Sequence, residues 1–312
     1  MKSLLPKTQS GTKILRWVGS IGAFILLVFL LKNQGWVDIR NALLEISLAH
    51  FSICILLIFC SRFAVVGRWY ALLSAVEDIS FWESARITFA GLFASNFLPT
   101  TVGGDVVRFA GSVQLKFDTV QSAASLIVDR LIGMFGMALA LPFGARHFFA
   151  WFTNGQNAQA VVFEYSLFGC SSKLWRKGVD LLRKIYQDVL IWGKHPKALL
   201  LSLFFTGIHM VCIFYIIDLL LGDIGEHLNL WLVGGLWSFV YFVTLLPISI
   251  NGYGVQEISM AFIFSEVGGV SLQSGLTTSL LFRTLMLLGS IPGVFFIPRI
   301  IAGIKANDHQ QP

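Results

Sequence analysis

Residues 96–108, Asn-Phe-Leu-Pro-Thr-Thr-Val-Gly-Gly-Asp-Val-Val-Arg, interrupt an otherwise apolar run. An apolar helical stretch from Ile87 to Phe97 leads in, and Pro99 stops it. Proline has no N–H to donate, and it pushes the preceding residue off the α region. Gly103 and Gly104 then let the backbone turn or approach a neighbour closely. Asp105 and Arg108 follow three apart, on one face of any new helix. At membrane depth, irregular backbone survives only where it is buried in protein or lines a wet cavity.

The same device returns at 245–257. Leu246 onward aligns with Leu98 onward without a gap: Leu98/Leu246, Pro99/Pro247, Gly104/Gly252 and Val107/Val255 are identical pairs. A looser echo follows each break. Gln121-Ser122, Ser125-Leu126 and Arg130 stand against Gln273-Ser274, Ser279-Leu280 and Arg283. Two Gly/Pro-interrupted apolar segments in corresponding halves point to a transporter binding site. Two unrelated loops between membrane helices are the plainer alternative.

Composition sets the medium. Of 312 residues, 55% are hydrophobic and 13% charged, against about 25% charged in soluble domains. Mean hydropathy is +0.74. The chain reads as an all-α polytopic integral membrane protein. We expect about six to eight transmembrane helices, with two broken or re-entrant segments forming an internal repeat. The net charge of +6 then concerns orientation and anionic lipid, and no nucleic-acid motif accompanies it. Cys54, Cys60, Cys170 and Cys212 show no CxxC spacing, and the histidines no HExxH. Neither a metal site nor a cofactor is expected.

Along the chain, Lys2, Lys7, Lys13 and Arg16 precede the apolar run Trp17–Leu31. That is an uncleaved first span with a cytoplasmic N-terminus, opening a first half-repeat over 14–141. Val37–Ser47 reads as an amphipathic linker and Phe51–Val66 as the second span. Arg62, Arg68 and Trp69 mark its cytoplasmic end as interface anchors. Val120–Leu141 is a further span carrying Asp129-Arg130. Residues 143–197 hold Arg146, Lys173, Arg176, Lys177, Arg183, Lys184, Lys194 and Lys197 against Glu164, Asp180 and Asp188, which favours the cytoplasm. Within them Leu174, Leu181, Leu182, Ile185, Val189 and Trp192 recur at helical spacing. They form either an interfacial helix or a solvated helix packed on the protein. A second half-repeat covers 198–300, and residues 222–229, with Asp223 and Glu226, are expected outside.

Ionisable groups inside a span cost about 2.5–3.5 kcal/mol each on insertion scales, so they face a partner or a cavity. Asp129 and Arg130 point about 100° apart on a helix and cannot simply pair with each other. Arg108, Arg130 and Arg283 have the chemistry to bind phosphate oxygens. Helix N-termini opened at Pro99/Gly103 and Pro247/Gly252 would add free N–H groups. Asp105, Asp129 and Glu257 would hold a cationic head group, relay protons, or merely neutralise the arginines.

These residues resemble the flippase-like family defined by the transmembrane region of lysylphosphatidylglycerol synthetases. The features are Asn96-x-Leu98-Pro99 with Gly103-Gly104-Asp105-x-x-Arg108; Ser125 through Asp129-Arg130; His195-Pro196; and Asn251-Gly252-Tyr253-Gly254-Val255-Gln256-Glu257 with Arg283 beyond. The likeness spans roughly residues 14–300. It implies movement of an anionic phospholipid or lipid-linked head group across the inner membrane, with Asn96, Gly103, Gly104, Asn251, Gly252, Tyr253 and Gly254 joining the charged residues as substrate contacts. Two departures stand out. Relatives show a further apolar span after the Asp-Arg helix, which Arg146, His147, Asn154-Gly155 and Glu164 interrupt here. No aminoacyl-transferase domain is expected, so lipid aminoacylation is not implied. Two other readings stay open: a membrane transferase acting on a lipid-phosphate substrate, and an accessory subunit docking a cytoplasmic enzyme at 170–195. An oligomer is compatible with each.

Overall fold

A computed structural model of the chain describes residues 47–98, 103–153, 192–246 and 250–298. In chain order its helices are α1 (Leu48–Leu73), α2 (Phe81–Ser95), α3 (Gly103–Gln114), α4 (Thr119–Thr153), α5 (Pro196–Asp223), α6 (Leu230–Thr244), α7 (Val255–Glu266) and α8 (Leu272–Leu288). Short 3-10 turns occupy Ile250–Gly252 and Ile291–Phe295, and no strand occurs among the described residues. The expected first span at Trp17–Leu31, most of the linker 37–47, both break prolines Pro99 and Pro247, and the basic segment 170–191 lie outside them.

Helix length sorts these elements into two kinds. Crossing a core of about 30 Å takes about 20 residues at a rise of about 1.5 Å each. α1, α4, α5 and the stretch Leu272–Phe295 opened by α8 are long and apolar enough to cross. α2, α3, α6 and α7 have 15, 12, 15 and 12 residues. None of these four crosses alone.

The short helices fold as two hairpins. On the first, Ile87 lies against Gly111, Gly91 against Gly104, and Leu98 against Gly103, so numbers fall on one arm as they rise on the other. On the second, Leu236 lies against Gly268 and Thr244 against Gly252. Both breaks therefore double back and leave at the end where they entered. The hairpin bases are capped by side chains: Ser80 Oγ accepts from the Glu83 N–H, and Glu83 accepts from the Ser80 N–H. Asn229 caps α6 and Ser271 caps α8. These caps satisfy donors that a helix start leaves orphaned.

α1 and α5 form the central antiparallel pair. His50 meets Asp223 at one end, Ser61 Oγ and His209 Nδ1 lie 2.7 Å apart, and Ser202 Oγ donates to the Arg68 carbonyl at 2.7 Å near the other end. Gly67 sits directly under the Phe205 ring, which is what permits the close approach. Each of the two helices opens a long–hairpin–long series, and the series run in opposite senses. The repeat is inverted, an orientation that the residue pattern alone left open.

One expected boundary is corrected. α4 does not stop at Leu141; it continues through Pro142 to Thr153. Gly144 packs backbone to backbone on Gly235, Phe148 stacks on Phe239 at 4.8 Å, and Trp151 Nε1 donates to Glu266 Oε2 at 3.3 Å. A proline is tolerated inside a membrane helix because neighbours compensate the lost bond. The end of α4 thus lies toward the His50/Asp223 end of the bundle. Trp192 instead donates to the Leu72 carbonyl at 3.2 Å, at the opposite end. The described flanks of the expected loop 143–197, α4 through Thr153 and Trp192, therefore lie toward opposite ends of the bundle.

Candidate functional site

The first hairpin is held by a glycine contact. A Cβ on Gly104 would come 2.6 Å from the Gly91 carbonyl oxygen, and one on Gly103 would come 2.4 Å from Leu98 Cβ. Gly103 and Gly104 are buried, and packing accounts for both. Their close approach places Asp105 and Arg108, one turn into α3, against α4 and α1.

There five ionised side chains join. Asp129, 1% exposed, accepts from Arg68 Nε at 2.7 Å and Nη2 at 3.2 Å, and from Arg108 Nη1 at 3.0 Å. Asp105 accepts from Arg108 Nη1 at 3.2 Å and from Arg130 Nε. Asp129 and Arg130 diverge as adjacent helical residues must, one toward α1 and the other toward α3. The Arg108 guanidinium lies 4.5 Å over the Trp69 ring, whose Nε1 donates to Ser125 Oγ at 3.2 Å. A desolvated cation over indole is favourable by about 2 kcal/mol or more.

The second hairpin builds a smaller group from the same ingredients. Asn251, Gly252 and Gly254 have φ of 47°, 72° and 77°. This is left-handed backbone that glycine adopts freely and asparagine tolerates. The loop so formed wraps Arg283, which donates to the Asn251 and Gly252 carbonyls at 3.4 and 3.3 Å and lies 4.6 Å over the Tyr253 ring. Glu257, 2% exposed, accepts from Arg283 Nε at 2.6 Å and from the Gly254 N–H at 2.7 Å. That second bond satisfies an orphan donor at the start of α7.

The two ion groups are separate, and the hairpins that carry them meet at their tips. Asn96 Nδ2 donates to Ser290 Oγ at 3.0 Å and to the Leu92 and Phe93 carbonyls, while Asn251 Nδ2 donates to Asn96 Oδ1 at 3.4 Å. Pro99 and Pro247 flank this junction in sequence and lie outside the described residues.

Reading Arg62, Arg68 and Trp69 as interface anchors is overturned. Trp69 is fully buried, and Arg68 is the bidentate partner of Asp129. Arg62 is also buried, facing the last turn of α8. Tyr241 on α6 lies within electrostatic reach of Arg68, Arg130, Asp105 and Asp129. Nothing in the local sequence marks it.

Residues 16–293 match the family model for the lysylphosphatidylglycerol synthase TM region. No curated protein matches the chain.

Proposed function

The chain belongs to the lysylphosphatidylglycerol synthase TM-region family, and from that membership we propose that it moves an anionic phospholipid or lipid-linked head group across the inner membrane. The supporting observation is the junction of the hairpin tips, Asn251 to Asn96, with an arginine–carboxylate group on either side. A translocated head group must exchange its hydration for protein donors while its tails stay in lipid. Arginine supplies planar, charge-assisted donors for phosphate. The carboxylates keep those charges tolerable at depth when no head group is bound. In this reading Arg108 and Arg130 from the first half, and Arg283 from the second, meet the head group in turn. Asn96, Asn251 and the Gly252-Tyr253-Gly254 loop form the passage between them.

Purified protein in phosphatidylcholine vesicles tests this with fluorescently labelled phosphatidylglycerol. It should move the probe between leaflets faster than protein-free vesicles, and a labelled phosphatidylcholine more slowly. Losing Arg108 or Arg283 should each slow the anionic probe. Transport indifferent to head group and to both substitutions would reduce the protein to a nonspecific scramblase. No transport of either lipid would sink the reading.

A further inference from the structure

The start of α5 carries charge and apolar surface on one side. Lys194, Lys197 and Leu201 follow at spacings of three and four, so they line up down one face. Both lysines are exposed, and neither reaches a carboxylate among the described residues. Below them Leu201 and Phe204 are 44% and 62% exposed, which leaves this side of α5 to lipid.

This face borders a groove of about 450 Å³ between the end of α1 and the start of α5. Ala71, Ala75, Ala198 and Leu201 form its floor, and Lys194, His195 and Lys197 its rim. Sites for small molecules run to about 300–1,000 Å³, so there is room for a head group and part of a chain. The walls are tied together: Trp192 Nε1 donates to the Leu72 carbonyl at 3.2 Å, and the His195 N–H to the Trp192 carbonyl at 2.8 Å. The groove is therefore preformed. It is also separate from the ion networks, since Arg68, one turn further into α1, turns its guanidinium to Asp129.

We propose that this groove binds one anionic phospholipid from the leaflet at the Leu73 end of the bundle. Its phosphate sits on Lys194 and Lys197, and an acyl chain runs over Ala75, Ala198 and Leu201 toward Phe204. An amphiphile fits because the cations stand at one end of the groove and the apolar floor below them. A free anion would use the rim alone. Because α1 opens one half-series and α5 the other, the bound lipid touches both halves at their seam. The site stands whether or not the protein moves lipid. The competing role of the lysines is structural: cations beside the carbonyls that end α1 are favourable by themselves.

The whole protein in dodecylmaltoside micelles is titrated with dioleoylphosphatidylglycerol, and separately with dioleoylphosphatidylcholine and with inorganic phosphate, while its melting temperature is followed. We expect phosphatidylglycerol to raise it by about 3 °C and the other two to leave it unchanged. Replacing both rim lysines, Lys194→Gln with Lys197→Gln, should move the midpoint of that response about 30-fold higher in lipid, the worth of two lysines near a membrane surface. Ala75→Leu keeps both lysines, fills the floor and should also weaken the response. A charge-matched control, Arg86→Gln with Lys116→Gln, alters the same end of the bundle away from the groove and should respond like the parent. Equal weakening in the control overturns the site in favour of general attraction to a basic surface. A response to inorganic phosphate as large as that to the lipid removes the floor, and the proposal with it. A lysine pair whose loss lowers the lipid-free melting temperature and leaves the lipid midpoint unchanged restores the structural role. No response of the parent to phosphatidylglycerol overturns the proposal and leaves the rim to a protein partner. Should Ala75→Leu fail to fold, the exposed lysine pair and its control decide the outcome.

Discussion

Asn251 on the tip of the second hairpin donates to Asn96 on the tip of the first at 3.4 Å, across 155 positions of sequence. Asn96 also bonds Ser290 and the Leu92 and Phe93 carbonyls. Replacing it with alanine strands more groups than replacing Asn251. A buried hydrogen bond contributes about 0.5–1.5 kcal/mol, and leaving partners unsatisfied costs more. Asn96→Ala should lower the melting temperature further than Asn251→Ala. The double variant should be less destabilised than the sum, as for residues in contact. Strict additivity would mean the tips are not coupled.

Asp129 and Arg130 are sequence neighbours with opposite expectations. Asp129, 1% exposed, is shared by Arg68 and Arg108, whereas the Arg130 side chain is 36% exposed. Asp129→Asn leaves two buried guanidinium groups short of a counter-charge, a change that costs about 3–5 kcal/mol. The variant should accumulate poorly or melt well below the parent. Arg130→Ala should melt near the parent and lose transport. Equal stability of the two variants would contradict the network as drawn.

What was legible in the residues was local. A proline, a glycine pair and a charge in an apolar run announce a break wherever they occur, and both breaks fall where such strings stand. An ionised pair inside a span, Asp129-Arg130, likewise announces a need for partners. What stayed hidden depends on distant segments. Arg68 and Trp69 have the composition of an interface belt, and their partners on α4, Asp129 61 positions on and Ser125 56 positions on, turn them into core. Whether a break crosses or doubles back depends on which residues face Gly91 and Gly104. The end of α4 was misplaced for a similar reason: Pro142 reads as a stop, and Gly235, which packs on Gly144, lies on another helix.

The glycines of the first hairpin divide by what surrounds them. A Cβ on Gly104 would meet the Gly91 carbonyl oxygen at 2.6 Å, backbone that cannot move aside alone. Gly104→Ala should destabilise by about 1–3 kcal/mol, as overpacking does. On α5, a Cβ on Gly207 would meet nothing within 4 Å. Gly207→Ala should be neutral or add up to about 1 kcal/mol through helix propensity. Melting temperatures of the two purified variants check the contrast, and a similar drop in both would remove packing as the reason for Gly104.

The two ends of the bundle differ in which basic residues they carry. The end at Leu73, with the start of α2, the α3–α4 turn and the start of α5, carries Arg86, Lys116, Lys194 and Lys197. The opposite end carries Asp223, Glu226 and Glu266, with Arg146 as its basic residue among those described. Lysine and arginine near span ends collect on the cytoplasmic side, so the Leu73 end should be cytoplasmic. The contacts of Trp151 with Glu266 and of Trp192 with Leu72 place the two flanks of 154–191 at opposite ends. In a background with its cysteines replaced, single cysteines at Thr153 and Asn229 should both react with a membrane-impermeant thiol reagent on intact cells. One at Lys194 should react only after the membrane is opened. If Thr153 instead behaves like Lys194, α4 ends on the cytoplasmic face and the single-loop arrangement of 143–197 is restored. If all three react alike on intact cells, the orientation drawn from charge is wrong as well.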